Sequence, residues 1–412
     1  MPHASESSSQ QSDSQEKQPT TLSVGLIPAP ELPEALVASI VDELSDLFES
    51  HVDNRYQWQV QSETDPLIGA EESTDEMLYQ ARRMRRDREW DYVICVTDLP
   101  IYRNNRLVIA EASEAYRVAL ISQPALGASP MRKRLREAVI HLLNEMHHGS
   151  SEQARERQQS HNRHQLGARR RHGLRNNNAR HLLGQRLSEL IAPIQRISPQ
   201  KTDDQVSVRF TARWHFTGRC KLLAGMVRAN RPWSIFPTFR KVIAVAFATG
   251  AYALLLPSLW RLGDAYEPWR FVVLMIGSLA AMVIWIVIVH GLWEPQRHRH
   301  AFPMATLYNL TTLITLSIGV LFYYAMLLVM FLVSVIIFVP PGLLAQVLGH
   351  AISPWHYPSL AWLAASVATV AGALGSGLES DTRVRAATYG YRQQSRQQRV
   401  RQLTEDNSKQ ES

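Results

Sequence analysis

The sequence predicts two fold classes in tandem: an α/β cytosolic module with a mixed sheet and helices, followed by an all-α transmembrane domain of four helices. Three observations carry this expectation. No Asp, Glu, Lys or Arg occurs from Ala301 to Leu378. Residues 241–378 hold nearly all the long apolar runs, whereas residues 1–240 are polar and charged. Between Thr21 and His148, strand-like alternation and helix-like periodicity take turns at ordinary loop spacing.

Residues 1–20 are rich in Ser, Gln, Glu and Asp and read as a disordered N-terminus. They lack the apolar core of a signal peptide, so the α/β module, residues 21–149, is expected to stay on the cytoplasmic side. Leu22 to Ile27 reads as its first strand. Pro33 to Val52 follows as an amphipathic helix with Leu36, Ile40, Leu44 and Leu47 on one face. Tyr56 to Gln61 alternates like a second strand, and Ser73 with Glu76 forms a capping box for a helix through Met77, Ala81 and Met84. Tyr92 to Thr97 is the best candidate for a buried strand. Two more follow at Leu107 to Ala110 and Val118 to Ser122, and Ser129-Pro130 opens a helix over Met131 to His147.

The module carries no nucleotide motif. A dinucleotide fold needs a glycine-rich turn after the first strand, but Pro28-Ala29-Pro30 stands there, and no Walker loop occurs. The only two cysteines, Cys95 and Cys220, lie in different segments and build neither a disulfide framework nor a cysteine metal site. Asp98, at the end of the buried strand, occupies a natural position for a functional carboxylate. His141, Glu145 and His148 fall at i, i+4 and i+7 on one helical face.

The run Ile94-Cys95-Val96-Thr97-Asp98, then Ala110-Glu111, then Val118 to Ser122, then a helix with Glu137, Ala138, Val139 and His141, resembles the core of archaemetzincin-type zinc proteases. In that family such strands precede a helix bearing H-E-x-x-H. Here Leu142 follows His141, and Glu145 stands four residues on, so the paired ligands and the general base are out of place. The resemblance over residues 92–148 therefore implies a zincin-like scaffold without the family's activity. Asp98, Glu111, His141 and Glu145 are the candidate ligand or metal site; no catalytic residue, resident metal or cofactor is assigned.

Acids outnumber bases in the module, whereas bases far outnumber acids from Gly149 to Lys241, an opposition concealed in the whole-chain charge of +7. Residues 150–182 read as a flexible basic linker centred on Arg169, Arg170 and Arg171, which are expected to contact lipid headgroups. Residues 183–240 form a juxtamembrane segment in which Arg228, Arg231 and Arg240, with Lys241, are expected to meet lipid headgroups of an anionic inner leaflet. Val206 to Phe216 also has the pattern of a short hairpin. Nucleic acid is not expected as a partner, because neither a folded reader nor stacking aromatics accompany Ser150 to His181.

A helix of about 20 apolar residues crosses a hydrocarbon core of about 30 Å. Spans are expected at about 242–260, 271–293, 307–339 and 357–377, within a transmembrane domain over residues 241–378. The basic tail, residues 379–412, then falls on the same face as the other basic clusters, which places both termini in the cytoplasm of a multi-pass cell-membrane protein of bacterial inner-membrane type. Small residues at Ala364, Ala368, Gly372 and Ser376, and at Ala365, Thr369, Ala373 and Gly377, offer a close-packing surface within the chain or between copies in a homo-oligomer. The spans contain no Asp, Glu, Lys or Arg, which disfavours transport. The functional expectation is a non-catalytic membrane anchor, scaffold or sensor whose module binds a protein or small molecule. The alternative is a divergent membrane-bound zincin-like hydrolase.

Overall fold

The computed structural model describes residues 20–69, 74–104, 106–151, 194–198, 206–230, 232, 240–293 and 302–376. Arg169, Arg170, Arg171, Arg231, the Ser73 cap and the basic tail lie outside the described residues.

The first module is built on one mixed sheet. Its strands are β1 (Thr21–Pro28), β2 (Gln57–Ser62), β3 (Tyr92–Thr97), β4 (Ile101–Arg103), β5 (Arg106–Ser113), β6 (Val118–Ser122), β7 (Ile194–Ile197) and β8 (Val208–Ala212), in the order β2-β1-β3-β6-β5-β8-β7. β4 pairs with β5 off this path. The four strands from β2 to β6 run parallel, and β5, β8 and β7 continue the sheet antiparallel. Parallel strands are covered on both faces, and accordingly every residue of β3 and β6 is buried.

Four helices follow the early strands: α1 (Leu32–Ala38), α2 (Val41–His51), α3 (Thr74–Asp87) and α4 (Met131–His148). The single helix expected over Pro33 to Val52 is instead two, because the chain breaks at Ser39–Ile40. The Ser39 hydroxyl donates back to the Leu36 carbonyl at 2.7 Å, satisfying locally what another helical turn would have used. Val37 before the break and Ile40, Leu44 and Phe48 from the break onward are fully buried.

The sheet does not end at residue 149. β7 and β8 come from the segment expected to be juxtamembrane, so the α/β unit extends beyond the boundary read from sequence. β8 leads into α5 (His215–Ala229), which lies against the short turn Pro124–Leu126. Their approach requires Gly225: a Cβ there would stand 2.0 Å from the Pro124 carbonyl oxygen.

Among the described residues the remaining helices are α6 (Arg240–Leu254), α7 (Pro257–Ala265), α8 (Pro268–Val289), α9 (Phe302–Phe338), α10 (Pro341–Leu348) and α11 (His356–Ser376). Three of them, α8, α9 and α11, are long and apolar enough to cross a membrane. The straight first span expected from Val242 to Trp260 is not formed; α6 and α7 meet at an angle of 87°. Pro257 is the cause. It lacks an N–H for an intrahelical bond and pushes Leu256 into extended backbone, at φ −88° and ψ 117°. The Trp260 indole then donates to the Leu254 carbonyl at 2.8 Å, satisfying a group that the break leaves without a helical partner.

α9 is one continuous helix. Its 37 residues extend roughly 55 Å at about 1.5 Å each, far beyond the hydrocarbon thickness. One end therefore reaches the α/β module, where Leu307 joins the module's own core and Tyr308 packs against it.

α11 packs against α6, α8 and α9. Of its apolar stretch 61% is buried within the protein, against 22% for α8, so its small-residue faces serve packing inside the chain. A Cβ at Gly372 would stand 2.1 Å from the Tyr323 hydroxyl oxygen, and Ala364, Ala365, Ala368 and Thr369 are fully buried. The apolar side chains of Val273, Ile276 and Ile288 on α8, and of Phe322, Val329 and Ile336 on α9, point outward instead.

Gly225→Ala is expected to lower stability by about 1–3 kcal/mol, because a methyl forced against a backbone carbonyl must move α5 or the turn. Gly277→Ala on α8, where nothing lies within 4 Å of the added Cβ, leaves the melting temperature near that of the parent protein. Thermal unfolding in detergent compares the two.

Candidate functional site

The pleat of the sheet separates the four residues singled out from sequence. Successive side chains on a strand point to opposite faces. On β8, Phe210 and Arg209 are neighbours and so face opposite ways, and on β7 Arg196 lies opposite Phe210. Arg196 reaches Glu145 on α4, with its Nη2 2.8 Å from Oε2, so this face carries α4. Arg209 lies opposite Glu111 on β5 and on the other face, where its Nε donates to Glu111 Oε2 at 3.0 Å. Glu111 is therefore on the far side of the sheet from His141 and Glu145.

Both carboxylates are taken by arginines. Glu145 is 2% exposed and Glu111 fully buried, and each forms an ion pair with a cation supplied by the β7–β8 hairpin. Arg196 also donates to the Ser150 carbonyl. Burial pushes the Glu111 carboxyl above its ordinary range, against the opposing pull of Arg209. His141 is buried on α4, as are its neighbours Ile140 and Leu142. His148, which shares its helical face on paper, points away: its Nε2 lies 2.9 Å from the Val52 carbonyl oxygen.

Asp98 has a different setting. β1 lies between β2 and β3, and the chain leaves β1 first towards β2 and then returns to β3 on its other side. In open α/β sheets the crevice outside the carboxyl ends at such a reversal is where ligands bind. Asp98 follows β3 at this point and is buried. The Ala29 N–H bonds to the Val96 carbonyl at 2.8 Å and the Gln123 N–H to the Thr97 carbonyl at 2.8 Å, which fixes the strand ends around it. Glu31, in the loop leaving β1, is held at φ +73°, a backbone strain of the kind that accumulates at binding sites.

A second polar cluster was not read from sequence. Asp53, His147 and His148 bring their potential ligand atoms within 4.8 Å of one another. Asp53, after α2, takes three hydrogen bonds from the Arg55 guanidinium, at 3.0 Å, 3.2 Å and 2.6 Å, and one contact from His147 Nε2 at 3.3 Å. His147 is boxed by the rings of Tyr56, Trp58 and Tyr92, and the Tyr92 hydroxyl lies 3.0 Å from its Nδ1. A neutral His147 satisfies both partners, donating from Nε2 and accepting at Nδ1. With a guanidinium already on the carboxylate, the cluster is suited to tying α2, β2, β3 and α4 together rather than to holding a cation. The pair His147-His148 at a helix end was visible in the sequence, but Asp53 lies 94 residues away.

Burial would raise the Asp53 carboxyl, yet hydrogen bonds from Arg55 and His147 hold it well below the usual range. Burial and the neighbouring His148 push His147 down, against the pull of Asp53.

No protein-family model, curated protein or solved structure matches the chain.

Two measurements check this account. Arg209→Met alone is expected to cost about 3–5 kcal/mol by stranding a buried carboxylate, while the double variant Glu111→Leu with Arg209→Met recovers most of the loss. Denaturant unfolding of the three proteins reads the difference. For pH, a depressed histidine means that the unfolded chain binds more protons below about pH 6.5, so stability falls as the medium is acidified from neutrality. His147→Gln flattens that part of the profile, and the further fall below about pH 4, from protonating Asp53, persists.

Proposed function

We propose that the chain is a four-span membrane protein in which the α/β module is a non-catalytic, cytoplasmic sensor or scaffold, with the bent pair α6–α7 as the first span and both termini inside. The observation that carries this reading is the junction between α5 and α9. The Asn230 amide, at the end of α5, donates to Thr315 Oγ1 at 3.1 Å, and Thr311 Oγ1 lies 3.7 Å from Met226 Sδ. Together with Leu307 in the module's core, these contacts join a folded head to a helix that continues through the bilayer. A change of shape at the head thus has a stiff route to the spans, and the polar groups near that end of α9 bind the chain itself rather than a solute.

The ligand surface of the module is the crevice at Asp98. A small polar molecule or a peptide suits a site framed by strand ends and one buried carboxylate. The arginine pairing of Glu111 and Glu145 supports the non-catalytic reading over the zincin-like hydrolase, since neither acid is available as a metal ligand or general base. Orientation follows from the basic residues: Arg228 on α5 and Arg240 with Lys241 at the start of α6 are exposed where the module meets the helices.

Cys220 on α5 is exposed, while Cys95 is buried and its thiol is pushed far up by desolvation. A membrane-impermeant maleimide is therefore expected to label Cys220 in inside-out vesicles and to spare it in intact cells. The reverse pattern removes the cytoplasmic reading. Zinc that co-purifies with the chain and is lost with His141→Ala would favour the hydrolase instead.

A further inference from the structure

A third cluster lies at the opposite end of the membrane helices. α9 starts beside the α/β module and ends at Phe338; α10 and the turn to α11 follow, so residues 349–356 sit at the far end of the helices. There Asp264 from α7 faces His350 and His356. His350 Nε2 lies 3.0 Å from Asp264 Oδ2, and His356 Nε2 lies 3.0 Å from Oδ1 of the same carboxylate. All three potential ligand atoms are within 4.8 Å of one another.

Both rings are oriented from behind. His350 Nδ1 is 3.0 Å from the Ala351 carbonyl oxygen; His356 Nδ1 is 2.9 Å from the Ser353 carbonyl oxygen and 2.8 Å from the Ser353 nitrogen, whose N–H donates to it. A metal-bound imidazole almost always donates its other N–H to a backbone carbonyl or carboxylate, which fixes the tautomer and turns the free lone pair on the metal. With Nδ1–H given to the Ala351 carbonyl, His350 turns its Nε2 lone pair on Asp264; a bound ion would hold His356 in the tautomer that gives Nδ1–H to the Ser353 carbonyl in place of accepting the Ser353 N–H. Two Nε2 atoms and the carboxylate then face one point, in a geometry that a bound cation can bridge in place of the Nε2–carboxylate hydrogen bonds.

We propose that Asp264, His350 and His356 form a binding site for a divalent transition-metal ion of the zinc type on the face of the membrane opposite the α/β module. Two imidazoles and one carboxylate are the donor set of an open zinc site, with a fourth position left for water. Each imidazole lies 3.0 Å from a different oxygen of the carboxylate, near the edge of about 3.3 Å that a tetrahedron with bonds of about 2.0–2.1 Å would have, so small side-chain shifts bring one oxygen and both nitrogens around an ion. Calcium and magnesium prefer more oxygen ligands and are poorly served by imidazole. His350 and Asp264 are 47% and 31% exposed at the side chain, so an ion has a direct path from solvent.

The three ligands come from two stretches of chain. A bound ion would clamp α7, the piece turned aside by Pro257, to the turn between α10 and α11. Arg261 reaches the Val347 carbonyl at 3.4 Å across the same seam, and Asp53, His147 and His148, at the other end, are separated from it by the length of the helices. This inference is independent of what the α/β module binds.

The test uses the full chain in detergent with its purification tag removed and titrates zinc, then calcium and magnesium, by calorimetry. One zinc per chain is expected, with a rise in melting temperature, and no comparable effect of calcium or magnesium. His350→Ala and Asp264→Asn should weaken zinc binding beyond the roughly 10–100-fold that loss of a supporting partner costs. His350→Cys, which keeps a donor atom, should retain it. His148→Ala and His141→Ala should leave it unchanged, which separates this site from the α/β module and from the hydrolase alternative. Folding of each variant is checked by size-exclusion elution and by its melting temperature without metal. Absence of stoichiometric zinc binding to the folded parent, or binding that survives both His350→Ala and Asp264→Asn, overturns the proposal and leaves the three residues as a hydrogen-bonded clasp.

Discussion

Two buried ion pairs govern how this protein is assembled. Glu111 and Glu145 lie in the interior of the α/β layers, where an unpaired carboxylate is strongly destabilising. Their partners, Arg209 and Arg196, are 98 and 51 residues further along the chain, on the hairpin that leads towards the membrane. The module is thus electrically complete only when that hairpin has joined the sheet. Docking β8 beside β5 also sets the start of α5, and α5 in turn carries Asn230 to the side of α9.

This coupling packs the α/β module directly against the apolar helices. A flexible linker would let an anchored head tumble above the bilayer. Here the head is held by strand pairing, by the close contact at Gly225 and by the shared core around Leu307. Long helices resist bending, so the same contacts that hold the head still also relate its position to the spans. Inside the membrane part the small residues of α11 allow three helices to approach it closely. Dispersion and backbone proximity replace the hydrophobic driving force that lipid cannot supply.

Much of the architecture was legible along the chain. β3 and β6 fall on Tyr92–Thr97 and Val118–Ser122 as read, because a buried parallel strand must be continuously apolar and short. The uncharged run beginning at Ala301 announced helices long and apolar enough to cross a membrane, since hydrocarbon tolerates few ionised groups. The break at Pro257 was also visible in principle, but the apolar run through Val242 to Trp260 masked it. β7 was missed because a short edge strand in a polar segment has no periodicity of its own; its pairing with β8 creates it.

The candidate site shows the same division more sharply. Sequence by itself determined which residues had chemistry to offer, namely Asp98, Glu111, His141 and Glu145, and that no intact zinc motif joined them. It also determined the succession of a mixed α/β unit and apolar helices, because periodicity and charge exclusion act on neighbouring residues. Only the tertiary structure decided that Glu111 faces away from His141, that two acids are held by arginines, and that Asp264 meets His350 and His356 at the far end of the helices. Those outcomes depend on strand register and on contacts between positions some 50 to 100 residues apart, which are set by the pleat and by helix packing rather than by spacing along the chain.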